Sequence, residues 1–415
     1  MPETSLRILP PLHTRACIVG GGPAGMMLGY LLARTGVDVI VLERHADFFR
    51  DFRGDTIHPS TLELMHELGL IDEFLALPHE KAEHLVGRIY GETVTIADFT
   101  HLPVHCKYLV LMPQWDFLDF LARQALRYPH FRLLRQAVMT ELIEDGERVV
   151  GVRADTPEGR LEVRADLVVG CDGRHTTVRE RAGLETHKIG APIDVLWFRV
   201  PRDPGTEQPT GGFIAPGSFF VTLNRGSYWQ CGHVIPKGTL ENLRAGGLEA
   251  WRDGLARLAP DLAEGLKSVA SWDDVKLLTV EIDRMPRWYR EGLLCIGDAA
   301  HAMSPVGGVG INLAIQDAVA ASNLLAEALR GSRLSVDDLE RVQRRREWPV
   351  RVTQRMQVAV QDEVISAVLS GQRTLADGLP LPVRMFQRFA LLQRLPARLV
   401  GLGVRPEHVQ TKEAA

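Results

Sequence analysis

R-A-C-I-V-G-G-G-P-A-G-M-M-L-G-Y-L-L-A-R-T-G-V-D-V-I-V-L-E, Arg15 to Glu43, is the stretch whose reading decides the fold. An apolar run, Arg15 to Gly20, ends in glycine and predicts a strand. Met26, Met27, Leu28, Leu31 and Leu32 then recur at helical spacing until Gly36. Val37 to Glu43 predicts a second strand. Strand, helix and strand in so short a span make a βαβ unit and therefore a parallel sheet. Gly20-Gly21-Gly22-Pro23-Ala24-Gly25 fits G-x-G-x-x-G, a weak pattern alone, but here it follows a strand and opens a helix. Gly20 permits the tight turn, Gly22 lets backbone N–H groups approach a pyrophosphate, and Gly25 allows close packing. The positive end of the helix favours the phosphates. Glu43, ending the second strand, is the expected acceptor for ribose hydroxyls.

Working outward, Ser60 and Glu63 form a capping-box pattern for a helix over 58–69, with Gly69 at its C-terminal end. Residues 76–110 predict short β pieces. Phe117, Leu118, Leu121 and Ala125 restore helical spacing. Alternating runs over 139–170, with turns at Asp145-Gly146 and Glu158-Gly159, predict a β-meander leading into a strand over 165–170. Strand-like segments recur from about 190 to 285 (195–200, 219–223, 228–235, 276–282), with a helical stretch near 239–268. A buried strand returns at 293–297, followed by a long helix. The remainder, 331–415, reads as mainly helical, and the arginine run Arg344 to Arg346 reads as a solvated helix face.

Two further motifs fall at predicted strand ends, where ligands of open parallel sheets gather. Cys171-Asp172-Gly173-Arg174, with Arg179 behind it, follows the strand 165–170; by itself it is hard to tell from a routine Asp-Gly turn. Gly297-Asp298-Ala299-Ala300-His301 is stronger, because Pro305 and Gly307-Gly308-Val309-Gly310-Ile311-Asn312 follow, then Asp317. Asp298 can accept from a sugar or ribityl hydroxyl, and the glycines free backbone N–H groups at a helix start, where negative charge on a bound ring is stabilised.

Composition bounds the rest. The chain has 415 residues, 45% hydrophobic and 24% charged, with a net charge of −4. That is ordinary globular composition, long enough for two domains, with no basic excess to suggest nucleic acid. The five cysteines are scattered and form no C-x-x-C pair, which argues against a disulfide framework or a zinc site, so no metal is expected. No run of about 18 apolar residues suggests a membrane span, and no signal peptide is evident. A cytoplasmic enzyme is the expectation.

Together, in this order and spacing, the three motifs resemble the class A flavoprotein monooxygenases, the para-hydroxybenzoate hydroxylase-like family, over about residues 15–330. The resemblance implies an α/β fold: a glutathione-reductase-type, Rossmann-like FAD-binding domain with an inserted, mostly antiparallel β-sheet substrate domain and a C-terminal helical segment. The expected boundaries are 1–75, 111–190 and 286–330 for the FAD-binding domain, 76–110 and 191–285 for the substrate domain, and 331–415 for the helical segment. It implies that Gly20, Gly22, Pro23, Ala24, Gly25, Glu43 and Arg44 hold the ADP half of FAD. Gly297 and Asp298 fall to the ribityl-phosphate region, and Pro305, Gly308, Gly310, Ile311 and Asn312 to the isoalloxazine. The Asp-Gly motif, Asp172 and Gly173, is linked in the family to both FAD and NAD(P)H. Arg53 matches an arginine that touches FAD in many members. Val309 replaces the family's usual glutamine in G-G-Q-G. Gln114 stands where an arginine usually opens the helix.

The resemblance further implies that NADH or NADPH reduces FAD and that O2 adds to give a C4a-hydroperoxyflavin, which attacks an electron-rich, aromatic small molecule. A pocket that excludes water suits that chemistry. Phe213, Phe219, Phe220, Tyr228 and Trp229 could line it, although aromatics more often fill cores. For a catalytic residue the sequence offers only weak candidates: His233, Gln230, Tyr228 and Pro305, with His101, His105 and Tyr108 on residue type alone. Gln230 and His233 must face opposite sides of one strand. His301 reads as structural or cofactor-adjacent. An FAD-dependent reductase of the same fold and a non-catalytic FAD-binding protein stay open. A flavin-dependent halogenase is weaker, because Cys231 and His233 replace the tryptophans of W-x-W-x-I-P. A homodimer stays open, as does membrane-surface attachment through residues 380–404, which alternate apolar and basic character.

Overall fold

A computed structural model describes residues 7–49, 56–202, 210–331, 333–371 and 381–414. Arg53 lies outside them. The first strand, Leu12–Val19, runs parallel to Val39–Glu43 on one side and to Gly159–Gly170 on the other. Phe131–Arg135 and Leu293–Cys295 extend the parallel core outward. Every residue of Val39–Glu43 is buried, as expected for strands covered on both faces.

The strand Gly159–Gly170 is longer than the six residues expected. Its first half alternates, with Leu161, Val163 and Ala165 buried between Arg160, Glu162 and Arg164, and pairs with the antiparallel meander Val138–Asp145 and Arg148–Thr156. Its last four residues, Leu167 to Gly170, are all buried. The change from period two to a continuous apolar run marks where it leaves the meander for the parallel core.

A second sheet has seven strands in the order Lys276–Thr279, Ile193–Pro201, Tyr228–Pro236, Ser218–Asn224, Gly211–Ala215, His84–Ile89, Glu92–Asp98. All neighbours are antiparallel except Gly211–Ala215 with His84–Ile89. One face packs on the helices Leu248–Leu258 and Ala263–Leu266 through Leu196, Phe198, Phe220, Trp229 and Cys231. The other face carries the alternate residues and looks toward the parallel sheet. The helical stretch expected over 239–268 is broken into Leu240–Ala245, Leu248–Leu258 and two shorter turns.

Two expectations need correction. The second helix starts at Pro59 with His58 at its N-cap position and no side-chain cap. Ser60 is therefore inside the helix, and Glu63 instead accepts from His105 N at 2.7 Å. The arginine run is not a solvated face throughout: Arg344 is exposed, but Arg345 pairs with Glu407 and Arg346 is 1% exposed. Val306–Arg330 is long and apolar enough to cross a membrane, yet 72% of its apolar window is buried inside the protein. It is the helix that packs on Pro23–Arg34 at the centre of the molecule.

Candidate functional site

The carboxyl ends of the parallel strands deliver Gly20, Glu43, Asp172 and Asp298 to one cavity of about 640 Å3. Its opposite wall is the free face of the seven-stranded sheet, including Ile193, Val195, Trp197, Phe219, Val221, Gly232 and Val234. The period-two spacing of these wall residues follows from the pleat.

At the first turn, Gly20 has φ +108°, and a Cβ there would lie 2.4 Å from Cys171 O. A Cβ on Gly25 would lie 1.9 Å from Gly20 O. These two glycines are required by the protein's own packing. Gly22 is different: its nearest neighbour to an added Cβ is Cys171 O at 4.0 Å, and it lines the cavity. Glu43 fixes the turn by accepting from Gly21 N and His45 N, each at 3.0 Å. Gly22 and Ala24 stand at the helix start, where among the described residues their N–H groups have no intrahelical acceptor, the arrangement a pyrophosphate needs.

Asp172 Oδ2 accepts from Val178 N at 3.1 Å, while its buried Oδ1 has no partner among the described residues. Burial pushes the Asp172 carboxyl above the usual carboxylate range, against the bonds from Thr176 and the backbone. Arg174 Nε lies 3.4 Å from Asp298 Oδ2. Arg179 ties the two turns together, donating to Ala299 O at 3.1 Å and Arg174 O at 2.9 Å. An unpartnered buried carboxylate oxygen, glycines opening onto space and a helix start aimed at it form a donor and acceptor set that fits a dinucleotide.

Pro23, Arg44, Gln114, Gly173, Pro305, Gly308, Gly310 and Ile311 also line the cavity. Gly25, Gly297 and Asn312 do not. Gly297 packs under Ala24 and Ala314. Asn312 is a clamp: its Oδ1 accepts from His58 N and Thr61 Oγ1, both at 2.8 Å, and its Nδ2 donates to Thr56 O at 3.0 Å.

Of the catalytic candidates, Pro305 alone is on the cavity. His233 belongs to the other face of the sheet, where its Nδ1 accepts from Trp251 Nε1 at 3.0 Å. Burial lowers its pKa to about 4. Gln230 is on the cavity-side face, buried beyond the cavity, and Tyr228 carries the Arg199 guanidinium on its ring at 4.9 Å. His105 stacks on His66, Tyr108 lies under Lys81, and His101 faces Asp98. Among the five aromatics, Phe219 lines the cavity, while Phe220 and Trp229 are core. His301 is 1% exposed and bound to Asp317.

Sequence reading missed His84, which lines the cavity with its Nε2 3.5 Å from Asp98 Oδ1. Its strand, H-L-V-G-R-I, has no regular period-two pattern, so no signal in the sequence singled it out. It also missed a row of glutamines on the helix Val336–Ala359 and its continuation. Gln357 accepts from Ser304 N at 3.1 Å and donates to Ser304 O and Val306 O, each at 2.9 Å. Gln361 donates to Ser304 Oγ. Gln354 donates to Asp283 O at 2.7 Å and Ala302 O at 3.1 Å. The backbone of the loop beside Pro305 is thus held from behind by side chains some 50 residues away (Gln357 to Ser304, |i−j| 53).

Residues 13–355 match the family model described as FAD binding domain. A 6-methylpretetramide 4-monooxygenase of Streptomyces rimosus is 36% identical over 353 residues, covering 83% of each chain. A 12-dehydrotetracycline 5-monooxygenase/anhydrotetracycline 6-monooxygenase of Streptomyces rimosus subsp. rimosus is 30% identical over 73% of this chain, which spans 60% of that longer protein. The solved structure of p-nitrophenol 4-monooxygenase PnpA from Pseudomonas putida is 19% identical, covers 95% of this chain and all of its own, and superposes with a TM-score of 0.75.

Proposed function

Because the chain belongs to the class A flavoprotein monooxygenase family, we propose that it is an FAD-dependent enzyme that inserts one oxygen atom of O2 into an electron-rich aromatic small molecule, with NADH or NADPH as reductant. The observation that carries this reading is the single cavity joining a dinucleotide cradle to an apolar sheet wall. Bound FAD supplies the redox chemistry that activates O2 and delivers the oxygen atom.

The chain's own residues do the rest. Gly22 and Ala24 offer backbone N–H groups to the pyrophosphate, and the Glu43 carboxylate faces the ribose hydroxyls. Arg44 adds positive charge beside them. Asp298 accepts from the ribityl hydroxyls, and Arg174 keeps its carboxylate oriented. Asp172 and Gly173, at the neighbouring strand end, offer an acceptor and an open backbone to the cofactor and the nicotinamide. Pro305, Gly308, Gly310, Ile311 and Gln114 shape the bed of the flavin ring. The wall of Ile193, Val195, Trp197, Phe219, Val221 and Val234 keeps water from the reacting atoms. His84, paired with Asp98, is our candidate to take the proton of a phenolic substrate.

In this reading 1–75, 111–190 and 286–330 form the FAD-binding unit, 76–110 and 191–285 the substrate unit, and 331–415 the helical segment that braces the loop at Ser304. The named substrates of the relatives, 6-methylpretetramide and anhydrotetracycline, are the first compounds to try.

The test is a mass measurement. Purified FAD-loaded protein is given NADH or NADPH and each compound under labelled O2. Substrate-stimulated cofactor oxidation with one labelled oxygen atom in the product is the expected result. Substrate turnover without O2 uptake would instead make the chain an FAD-dependent reductase. Bound FAD with no turnover at all would make it a non-catalytic flavoprotein.

A further inference from the structure

The helix Ala390–Gly401 is packed the wrong way round for a protein interior. Its small residues face inward: Ala397 is fully buried, and a Cβ on Gly401 would lie 2.8 Å from Leu102 and 3.2 Å from Phe99. Its leucines face outward. Leu391, Leu395 and Leu399, spaced i, i+4 and i+8, are 69%, 59% and 39% exposed, with Leu392 beside them and Phe389 ahead of the first turn. A stripe on one helix face is the normal way to bury apolar area, yet here the stripe is turned to the outside.

The charge around it is one-sided. From Gly378 to Pro406 the sequence carries five arginines and no aspartate or glutamate, in a chain whose net charge is −4. Arg384, Arg388, Arg394, Arg398 and Arg405 are all exposed. Arg394 and Arg398 flank the leucine stripe on the helix, where long stems can lie along apolar surface with the charge at the polar boundary. Arg394 Nη2 is 3.2 Å from His101 Nε2, which in turn faces Asp98 at 3.1 Å.

We propose that this face rests on an anionic lipid surface, with the leucines and Phe389 in the acyl boundary and the arginines at the headgroups. An apolar stripe flanked by cations is what such a surface binds. A second copy of the chain fits worse, since a two-fold contact would set the same arginines against each other. The position also has a use. Val400, on this helix, lines the main cavity, so the docked face adjoins the wall through which an apolar compound dissolved in lipid could reach the site.

Full-length FAD-loaded protein is floated with vesicles of phosphatidylglycerol and phosphatidylcholine, and with phosphatidylcholine alone. The expected result is binding to the anionic vesicles that high salt weakens, little binding to the neutral ones, and a loss of about tenfold or more in the Leu391→Ser/Leu395→Ser double variant. Because both leucines are exposed, that variant should keep its FAD and its melting temperature, which are measured alongside. Absence of vesicle binding overturns the proposal, as does equal binding to neutral vesicles. A doubling of mass in light scattering, abolished by the double variant, would overturn it in favour of a self-interface. Salt-insensitive recovery with an acidic protein in place of lipid would overturn it too. None of these readouts depends on turnover.

Discussion

Arg346 Nε lies 2.9 Å from Asp317 Oδ1, and the two side chains are 1% and 0% exposed. The second oxygen of Asp317 holds His301 Nε2 at 2.6 Å and Gly297 N at 3.1 Å. Gly297 opens the turn that presents Asp298 to the cavity. A buried pair bridging the helices Gly310–Arg330 and Val336–Ala359 therefore fixes the shape of the strongest sequence motif. Arg346 also reaches Glu407 at 3.3 Å. Replacing it by methionine leaves Asp317 buried with a weakened counter-charge, which costs about 3–5 kcal/mol. Urea unfolding of Arg346→Met should show a loss of that order. A loss under about 1 kcal/mol, the surface-pair range, would mean that the pair is solvated in the working protein.

Asp317 itself gives a pH prediction. Burial alone would raise its pKa, but His301 and Arg346 outweigh burial and hold it below the ordinary value of 3.8. A carboxyl depressed in the folded state adds stability that is present above the unfolded value and lost as pH falls through the folded one. The stability gap between the native protein and Asp317→Asn should therefore be constant at neutral pH and narrow below the ordinary carboxylate value. A gap that stays constant to the acid limit of folding would show that Asp317 is not ionised.

The glycines at the first turn separate fold from binding. Gly20→Ala places a Cβ 2.4 Å from a backbone oxygen at φ +108°, so it should fold poorly, with or without flavin. Gly22→Val adds its side chain to open cavity. It should keep the native circular dichroism and melting cooperativity of the apoprotein while losing the absorbance of bound FAD. If Gly22→Val retains the flavin, the pyrophosphate does not lie against this turn.

The sheet wall can be tested in the same spirit. Cross-strand pairing sets Trp197 beside Gly232, and a Cβ at Gly232 would meet the indole ring at 3.1 Å. Gly232→Val should push Trp197 into the cavity and raise KM for a bulky substrate by tenfold or so, roughly 1–2 kcal/mol of overpacking. FAD content should be unchanged. An unchanged KM would put the substrate elsewhere along the cavity.

The parallel core and its ligand-bearing edge were legible because short-range rules write them. Period, glycine turns and strand-end acids all lie within the few residues around Gly20, Asp172 and Asp298. What could not be read was held by distant pairs. Nothing in the neighbourhood of Arg346 says that its partner is Asp317, nor that Gln357 reaches Ser304. Asn312 looked like a loop residue for the ring and is instead a strut to His58 and Thr61, because its partners lie some 250 positions earlier (|i−j| 254 and 251). The facing of Gln230 and His233 was known to be opposite, but which one saw the cavity depended on where the helix bearing Trp251 would dock.

That docking yields the last prediction. The pKa of His233 is lowered from 6.5 to about 4 because burial disfavours its charged form. His58 is lowered to the same value, again by burial first. The unfolded chain takes up these protons near pH 6.5 while the folded chain does not. Their contribution is therefore fully present above pH 6.5 and falls by about 1.4 kcal/mol per pH unit for each histidine down to about pH 4. His233→Asn removes one titration while its Oδ1 can still accept from Trp251 Nε1. Urea unfolding across this range should show a shallower pH slope, smaller by about one histidine's share, with the His58 share remaining. Turnover near neutral pH should stay at the native level, because the side chain faces the helices and not the cavity. An unchanged slope would mean that the folded protein can protonate His233. A fall in kcat with FAD and stability intact would return it to the list of catalytic residues.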